Sequence, residues 1–435
     1  MRKLKIAVIG AGSTYLPELV EGFLTRAGKL DIGEFCMMDI DSRKNGIVSA
    51  LTRRMIAARG LDIPVIETTC PEEAITGANY VVAQMRVGQL PARVLDEKIP
   101  FKHGLIGQET TGIGGFFKAL RTLPVMENIA RIIEEKAPDA WLINFSNPSG
   151  ILAEMMAARG NTRNIGLCNA PTGAEKLLLR KAAGITGCAP ESLRREDLAF
   201  DFVGLNHFNW ITNVTVKGRD ILPQLLADEE ILKGYADMFD GAFLRQIGGL
   251  PSYYLKYYYN RDNIAAEGKT APTTRGEDCM VIEEDLLKLY QDQTLKEKPE
   301  LLEKRGGAYY SEAAVSLIDA IENDKNDLHV VNTANRGVIP FLQPGDVTEV
   351  RCIVGKDGVR PLPLANPNIS PHIQGMIQMV KAYEKLTMKA GLTGDYDAGL
   401  AALMTHPLLG DFHKTKAVYD EMLEAHRAHL PRFFS

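Results

Sequence analysis

Between residues 4 and 170, short continuous apolar runs alternate with helix-like stretches, and this alternation restricts what the chain can fold into more than any other feature. "KIAVIGAG" is apolar, β-branched and ends in glycines. "YLPELVEGFLTRAG" after it reads as a helix with Pro17 tolerable in its first turn. "EFCMMDID", "IPVIETT", "YVVAQMRV", "AWLINFS" and "NIGLCN" repeat the strand character. Between them lie the helical "RKNGIVSALTRRMIAARG", the short "PEEAITGA" and "GILAEMMAARG", and "FFKALRTLPVMENIARIIEEKAP" with an expected break at Pro124. A long loop is expected ahead of "FFKAL". Strands that are apolar throughout are covered on both faces, so the fold class is α/β with a doubly wound parallel sheet.

The character changes near residue 190. "DLAFDFVGLNHFNWITNVTVKG" reads as two extended segments, antiparallel, and helical patterns dominate from about residue 279. A second, α+β domain is therefore expected over 191–435, after a first domain over 1–190. A chain of 435 residues has ample length for a core, and 45% hydrophobic with 24% charged residues is an ordinary globular balance. The net charge of −5 argues against a general nucleic-acid or membrane-surface binder, though not against a local basic pocket. The start, "MRKLKIAVIGAG", mimics a signal peptide, but glycines interrupt it and it reads as a first strand. No run of about 18 apolar residues exists, so no membrane span is expected. The six scattered cysteines, with no CxxC pair, read as reduced thiols of a cytoplasmic protein.

"GAGSTYLPE" places Gly10, Gly12, Ser13 and Thr14 between a strand and a helix, and Asp39 ends the next strand. A third glycine is missing, because Tyr15 stands in its place. The context still fits a Rossmann-type dinucleotide site: the helix N-terminus takes the pyrophosphate and Asp39 accepts from the ribose hydroxyls of NAD. A plain βα turn with a solvated Asp39 is the alternative.

Further chemistry-bearing stretches are "QMRVGQLPARVLDEKIPFKHGLIGQETTGIGG", "NFSNPSG", "NIGLCNAPTG", "GLNHFNW" and "GGLPSYYLKYYYN". Most lie at or just beyond expected strand ends, where open α/β sheets bind ligands. Cys168 alone reads as a buried small hydrophobe.

Taken together and in this order, these motifs resemble the NAD- and metal-dependent family 4 glycoside hydrolases, and within them the 6-phospho-β-glucosidases. The resemblance runs over nearly the whole chain and implies a lactate/malate dehydrogenase-like first domain that binds NAD. It implies a second domain for substrate, metal and oligomerisation, and a homodimer or homotetramer. It also implies that Cys168 and His207 bind a divalent metal, usually manganese, as an incomplete site that substrate hydroxyls and water fill. The implied reaction is hydrolysis of 6-phospho-β-glucosides: transient oxidation of C3 by NAD, removal of the C2 proton, elimination at C1, water addition, and no net redox change. The base maps onto Tyr254, with Tyr253 as the alternative, and Glu109 supports its basicity. Arg93, Asn147 and Arg275 resemble substrate-binding positions; Arg86, Lys102, His103 and Arg261 are further cations for the 6-phosphate, and Ser13 is a weaker phosphate candidate. Asn169 stands where α-specific members carry an acidic residue. An amide supplies no proton, so the general acid is open, while the same Asn is typical of β-specific members. Competing readings are another phosphosugar or α-linked specificity, an NAD-dependent 2-hydroxy acid dehydrogenase, and a non-catalytic NAD-binding sensor.

Overall fold

The structure is a computed structural model that describes residues 2–189, 192–306 and 310–435. Six parallel strands form its centre: β1 (Leu4–Ile9), β2 (Ile32–Met38), β3 (Val65–Thr68), β4 (Tyr80–Ala83), β5 (Trp141–Asn144) and β6 (Asn164–Gly166). Their spatial order, β3-β2-β1-β4-β5-β6, is the doubly wound arrangement of dinucleotide-binding sheets. Val8, Tyr80, Val81, Val82, Leu142 and Ile143 are fully buried, as expected of strands covered on both faces. Helices Leu16–Leu24, Ser42–Ala58, Gly112–Lys136 and Ser149–Ala158 connect the strands.

A second sheet holds β7 (Leu198–Leu205) and β8 (Phe208–Val216), paired antiparallel as expected, with the short β9 (Arg219–Asp220) and β10 (Leu250–Pro251) on β8. The later strands β11 (Asp327–Ala334), β12 (Val347–Gly355) and β13 (Gly358–Pro361) do not join it. They extend the first sheet antiparallel beyond β6, through a pairing of Asn332 with Gly166. The sheet thus draws on both sides of residue 190, the boundary expected between domains.

Three local expectations are corrected. The stretch expected as a long loop contains helix Gln89–Lys102, entered from Gly88 at φ +80. Its inward side chains include charged ones, Arg93, Asp96 and Glu97, paired with one another or with Arg121, so the apolar periodicity of a buried helix is missing. Helix Gly112–Lys136 runs through Pro124 without a break, because Leu120, Leu123 and Met126 are buried around it and packing outweighs the local preference. The strands β11–β13 interrupt the region expected to be helical; their polar residues, such as Asn332 and Glu349, are buried and hydrogen-bonded rather than exposed.

Candidate active site

The carboxyl ends of β1, β2, β4, β5 and β6 carry most of the residues singled out from the sequence. Gly10 follows β1 at φ +91, and a Cβ there would lie 2.8 Å from the Met85 Cα. Only glycine fits this approach. The Gly12 N–H donates to Asp39 Oδ2 (2.8 Å) and the Asp41 N–H to Oδ1 (2.9 Å). A Cβ on Gly12 would meet the Asp39 carboxyl at 2.9 Å. Each Asp39 oxygen keeps a second lone pair, and the carboxylate is half-buried at the end of β2. Burial pushes its pKa up, against the two backbone donors. Ser13 Oγ accepts from the Tyr15 N–H at 3.2 Å, and Thr14 is fully buried, its Oγ1 without a partner among the described residues. From the second half, Tyr290 Oη donates to the Thr14 carbonyl at 2.6 Å and buttresses the turn. The donor-rich helix start, the acidic strand end and the orphaned Thr14 hydroxyl fit a dinucleotide.

Cys168 lies two residues past β6, buried, and its Sγ accepts from the Ala170 N–H at 3.4 Å. His207 occupies the β7–β8 turn at φ +61, a conformation costly for a residue with a Cβ and recurrent at functional turns. Tyr254, in the turn after β10, stacks on the imidazole with centroids 4.0 Å apart and planes 16° from parallel. Its neighbour Tyr253 is 65% exposed and accepts from Lys256 at 2.8 Å. Cys168 and Glu109 both lie within electrostatic reach of Tyr254; with burial as the largest cause, they hold its phenol above the ordinary tyrosine range. Burial, aided by Lys118, pushes His207 down to about 3, so the imidazole is neutral and able to ligate a metal. Burial also pushes the Cys168 thiol up. Among the described residues no three His, Cys, Asp or Glu side chains converge on one point. One sulfur and one neutral imidazole fit an open metal site that needs oxygen ligands from elsewhere.

Glu109 is the hub of a buried network of charges. Arg86 pairs with it closely, Arg93 lies at 3.0 Å and Lys118 at 2.7 Å. Burial opposes its ionisation, but the charges of Arg86, Lys118 and Arg93 outweigh that and hold its carboxyl well below the usual range. Burial and the nearby Arg86 lower Lys118 to about 7, against the pull of Glu109. Arg93 also bonds Glu97 at 2.7 Å, and Glu97 accepts from the Gly276 N–H at 2.7 Å, which ties helix Gln89–Lys102 to the start of helix Arg275–Tyr290. Arg275 itself is exposed and donates to the Lys304 carbonyl at 2.8 Å; it is not part of the buried network. Asn147 closes β5's loop, accepting from the Ser149 N–H at 3.4 Å, and Asn169 starts helix Ala170–Thr186, its amide oxygen 3.9 Å from the Cys168 sulfur. Lys102 and His103 lie apart, on Glu421, and Arg261 on Asp262.

Sequence reading passed over Lys118, Glu97, Arg305 and Glu349. Arg305 is almost buried, within reach of the Arg86 and Arg93 charges, and its Nε has no partner among the described residues. Glu349, on β12, is 1% exposed and accepts from Asn206 (3.1 Å), Asn209 (2.8 Å) and Asn332 (3.2 Å). Burial pushes it up to about 7 in spite of these amides. The only hint in the sequence was the pair of asparagines flanking His207 in "GLNHFNW".

Residues 5–184 match the model of the family 4 glycosyl hydrolases, and residues 202–409 match that of their C-terminal domain. The chain belongs to this family. The family 4 chain is 39% identical to a probable 6-phospho-β-glucosidase of Bacillus subtilis, over 99% of its own length and 98% of the relative's. It is 37% identical to the 6-phospho-β-glucosidase of Escherichia coli, over 99% and 97%. Its fold superposes on the 6-phospho-β-glucosidase of Thermotoga maritima, solved with NAD and glucose 6-phosphate, with a TM-score of 0.88, 36% identity, and 98% and 99% of the two chains covered. Another structure of that protein contains manganese as well. The family 4 fold also aligns with the lactate dehydrogenase of Eimeria maxima at a TM-score of 0.54 and 15% identity, over 91% and 96% of the two chains, in line with the dehydrogenase-like architecture expected from the sequence.

Proposed function

We propose that this family 4 enzyme hydrolyses 6-phospho-β-glucosides with NAD and a divalent cation, manganese in the first instance. The observation that carries the reading is the stack of Tyr254 on His207, with Cys168 and Glu109 in reach of the same phenol. A hydroxy-acid dehydrogenase needs no such tyrosine.

The Gly10–Thr14 turn and Asp39 would hold NAD, which when bound would supply a hydride acceptor for C3 and, on return of that hydride, leave no net redox change. Cys168 and His207 would hold a divalent cation, which when bound would supply Lewis acidity and offset the cost of a buried phenolate. With C3 oxidised, the C2 proton lies α to a carbonyl, and Tyr254 is the group that removes it. Glu109 keeps the phenolate basic through its negative charge, while Arg86, Arg93 and Lys118 keep Glu109 ionised. The C1 substituent then leaves and water adds. Asn169 cannot donate a proton to the leaving group, which favours β-linked substrates over α-linked alkyl glucosides. Arg93, Asn147 and Arg275 bind substrate, and the buried Arg305 adds a further guanidinium for a phosphate dianion. The reading includes a cytoplasmic homodimer or homotetramer, which light scattering tests.

The deciding experiment is a panel of p-nitrophenyl glucosides and natural disaccharides, with and without 6-phosphate and in both anomers, with Mn²⁺, NAD⁺ and a reductant. Two charge-assisted phosphate contacts imply a preference of at least about a hundredfold for the phosphorylated β-glucoside. Equal rates on unphosphorylated glucosides remove the phosphate reading. A preference for maltose 6-phosphate over cellobiose 6-phosphate removes the β reading, and stoichiometric NADH release restores the dehydrogenase.

A further inference from the structure

Cys168 and His207 stand on segments distant in sequence, yet one buried side chain is bonded towards both. Glu349 lies opposite Asn332 in the β11–β12 ladder. Through Asn332 it reaches β6: Asn332 Nδ2 donates both to Glu349 Oε1 (3.2 Å) and to the Gly166 carbonyl (3.2 Å), two residues before Cys168. A Cβ on Gly166 would come within 2.9 Å of the Asn332 Cβ, so the glycine permits this approach. Through Asn206 and Asn209 it reaches the β7–β8 turn on both sides of His207. Asn209 Nδ2 also donates to the Leu205 carbonyl at 3.2 Å and closes the turn on itself.

The geometry points to Glu349 as the positioning residue that holds the Cys168 and His207 segments at one spacing. This rests on the reading of Cys168 and His207 as the metal ligands. In its ionised form Glu349 offers only acceptors, so it can satisfy three amide donors at once. A glutamine in its place turns one oxygen into a donor facing a donor. At least one asparagine then loses its partner, and the turn or the β6 end is released. Partners of this kind set metal affinity although they touch no metal.

The test is Mn²⁺ binding to the full chain, followed by electron paramagnetic resonance of free Mn²⁺, with NAD binding measured in parallel. Glu349→Gln is expected to weaken Mn²⁺ by about 10–100-fold while NAD affinity stays at the wild-type value. Excess Mn²⁺ is expected to restore part of the hydrolysis, which a general loss of packing would not allow. Unchanged Mn²⁺ affinity in folded Glu349→Gln overturns the proposal, and so does an equal loss of NAD and Mn²⁺ affinity. Should Glu349→Gln fail to fold, Asn209→Ala deletes one amide donor and leaves two; it is expected to weaken Mn²⁺ selectively, and wild-type affinity there overturns the proposal equally. Cys168→Ser and His207→Ala run alongside. If these two retain Mn²⁺, the ligand reading itself fails; if they lose it and Glu349→Gln does not, only the positioning role fails.

Discussion

At the scale of single residues, the surroundings of Tyr254 oppose the role proposed for it. Tyr254 is less acidic than an ordinary tyrosine, because it is buried beside Cys168 and Glu109, and a base needs to lose its proton first. On the proposed reading of Cys168 and His207 as metal ligands, a cation held there would resolve the conflict. Cys168→Ser and His207→Ala are therefore expected to abolish hydrolysis and leave NAD affinity intact, as fluorescence titration of NAD would show; near-normal turnover in either variant removes the metal assignment. The register of the base is tested separately. Tyr254 stacks on His207 and Tyr253 faces solvent, so Tyr254→Phe should suppress incorporation of solvent deuterium at C2 of the product, and Tyr253→Phe should not. Product without any deuterium at C2 in D₂O would point to direct displacement at C1. These residues were named as expectations, from the resemblance of the motifs to the family 4 glycoside hydrolases. Lys118 and Glu349 were not, because a charged residue in a sequence reads as exposed until a buried partner is seen for it.

At the scale of elements, the glycine turn and helix Gln89–Lys102 differ in how well they could be read. The turn is local: β1 ends, the chain reverses at φ +91, and a helix starts, so glycines alone announce it. Gly10→Ala should drive a Cβ into the Met85 backbone and impose left-handed strain, lowering stability by roughly 1–3 kcal/mol and weakening NAD. Urea unfolding and NAD titration measure both, and a variant with unaltered NAD affinity would dissociate this turn from the cofactor. Helix Gln89–Lys102 is held by ion pairs to other elements, Arg93 to Glu109 and Asp96 to Arg121, so its stabilising partners lie outside the window in which periodicity is sought. Pro124 fails as a helix breaker for the same reason, since burial of its neighbours outweighs the missing hydrogen bond.

At the scale of the whole molecule, neutral groups that the fold buries couple stability to pH. His406, like His207, is pushed down to about 3 by burial, from an ordinary 6.5. For such a group the unfolded chain takes up the proton first, so its stabilising contribution is complete above about pH 6.5 and is lost progressively as pH falls towards 3. Glu349 works in the opposite sense: raised to about 7 from 4.5, it contributes most below pH 4.5 and loses that contribution as pH rises through 7. The net slope between pH 7 and pH 5 is a difference of opposed contributions, and single variants separate them. His406→Gln should lose about 2 kcal/mol less than wild type over that interval, measured by urea unfolding of the metal-free protein at the two pH values. An identical slope would mean that His406 titrates normally in the fold.

The sequence by itself determined the doubly wound sheet and the glycine turn followed by Asp39, because both depend on local periodicity or on a contiguous motif; Cys168, His207, Tyr254 and Glu109 came as expectations from the resemblance to the family 4 glycoside hydrolases. The tertiary structure decided that β11–β13 complete the same sheet, that Tyr254 rather than Tyr253 meets His207, and that Glu109 and Glu349 are each surrounded by partners from several elements. Such pairings join residues as far apart as Asn206 and Glu349, and no periodicity along the chain encodes which buried charge will find which donor once the elements pack.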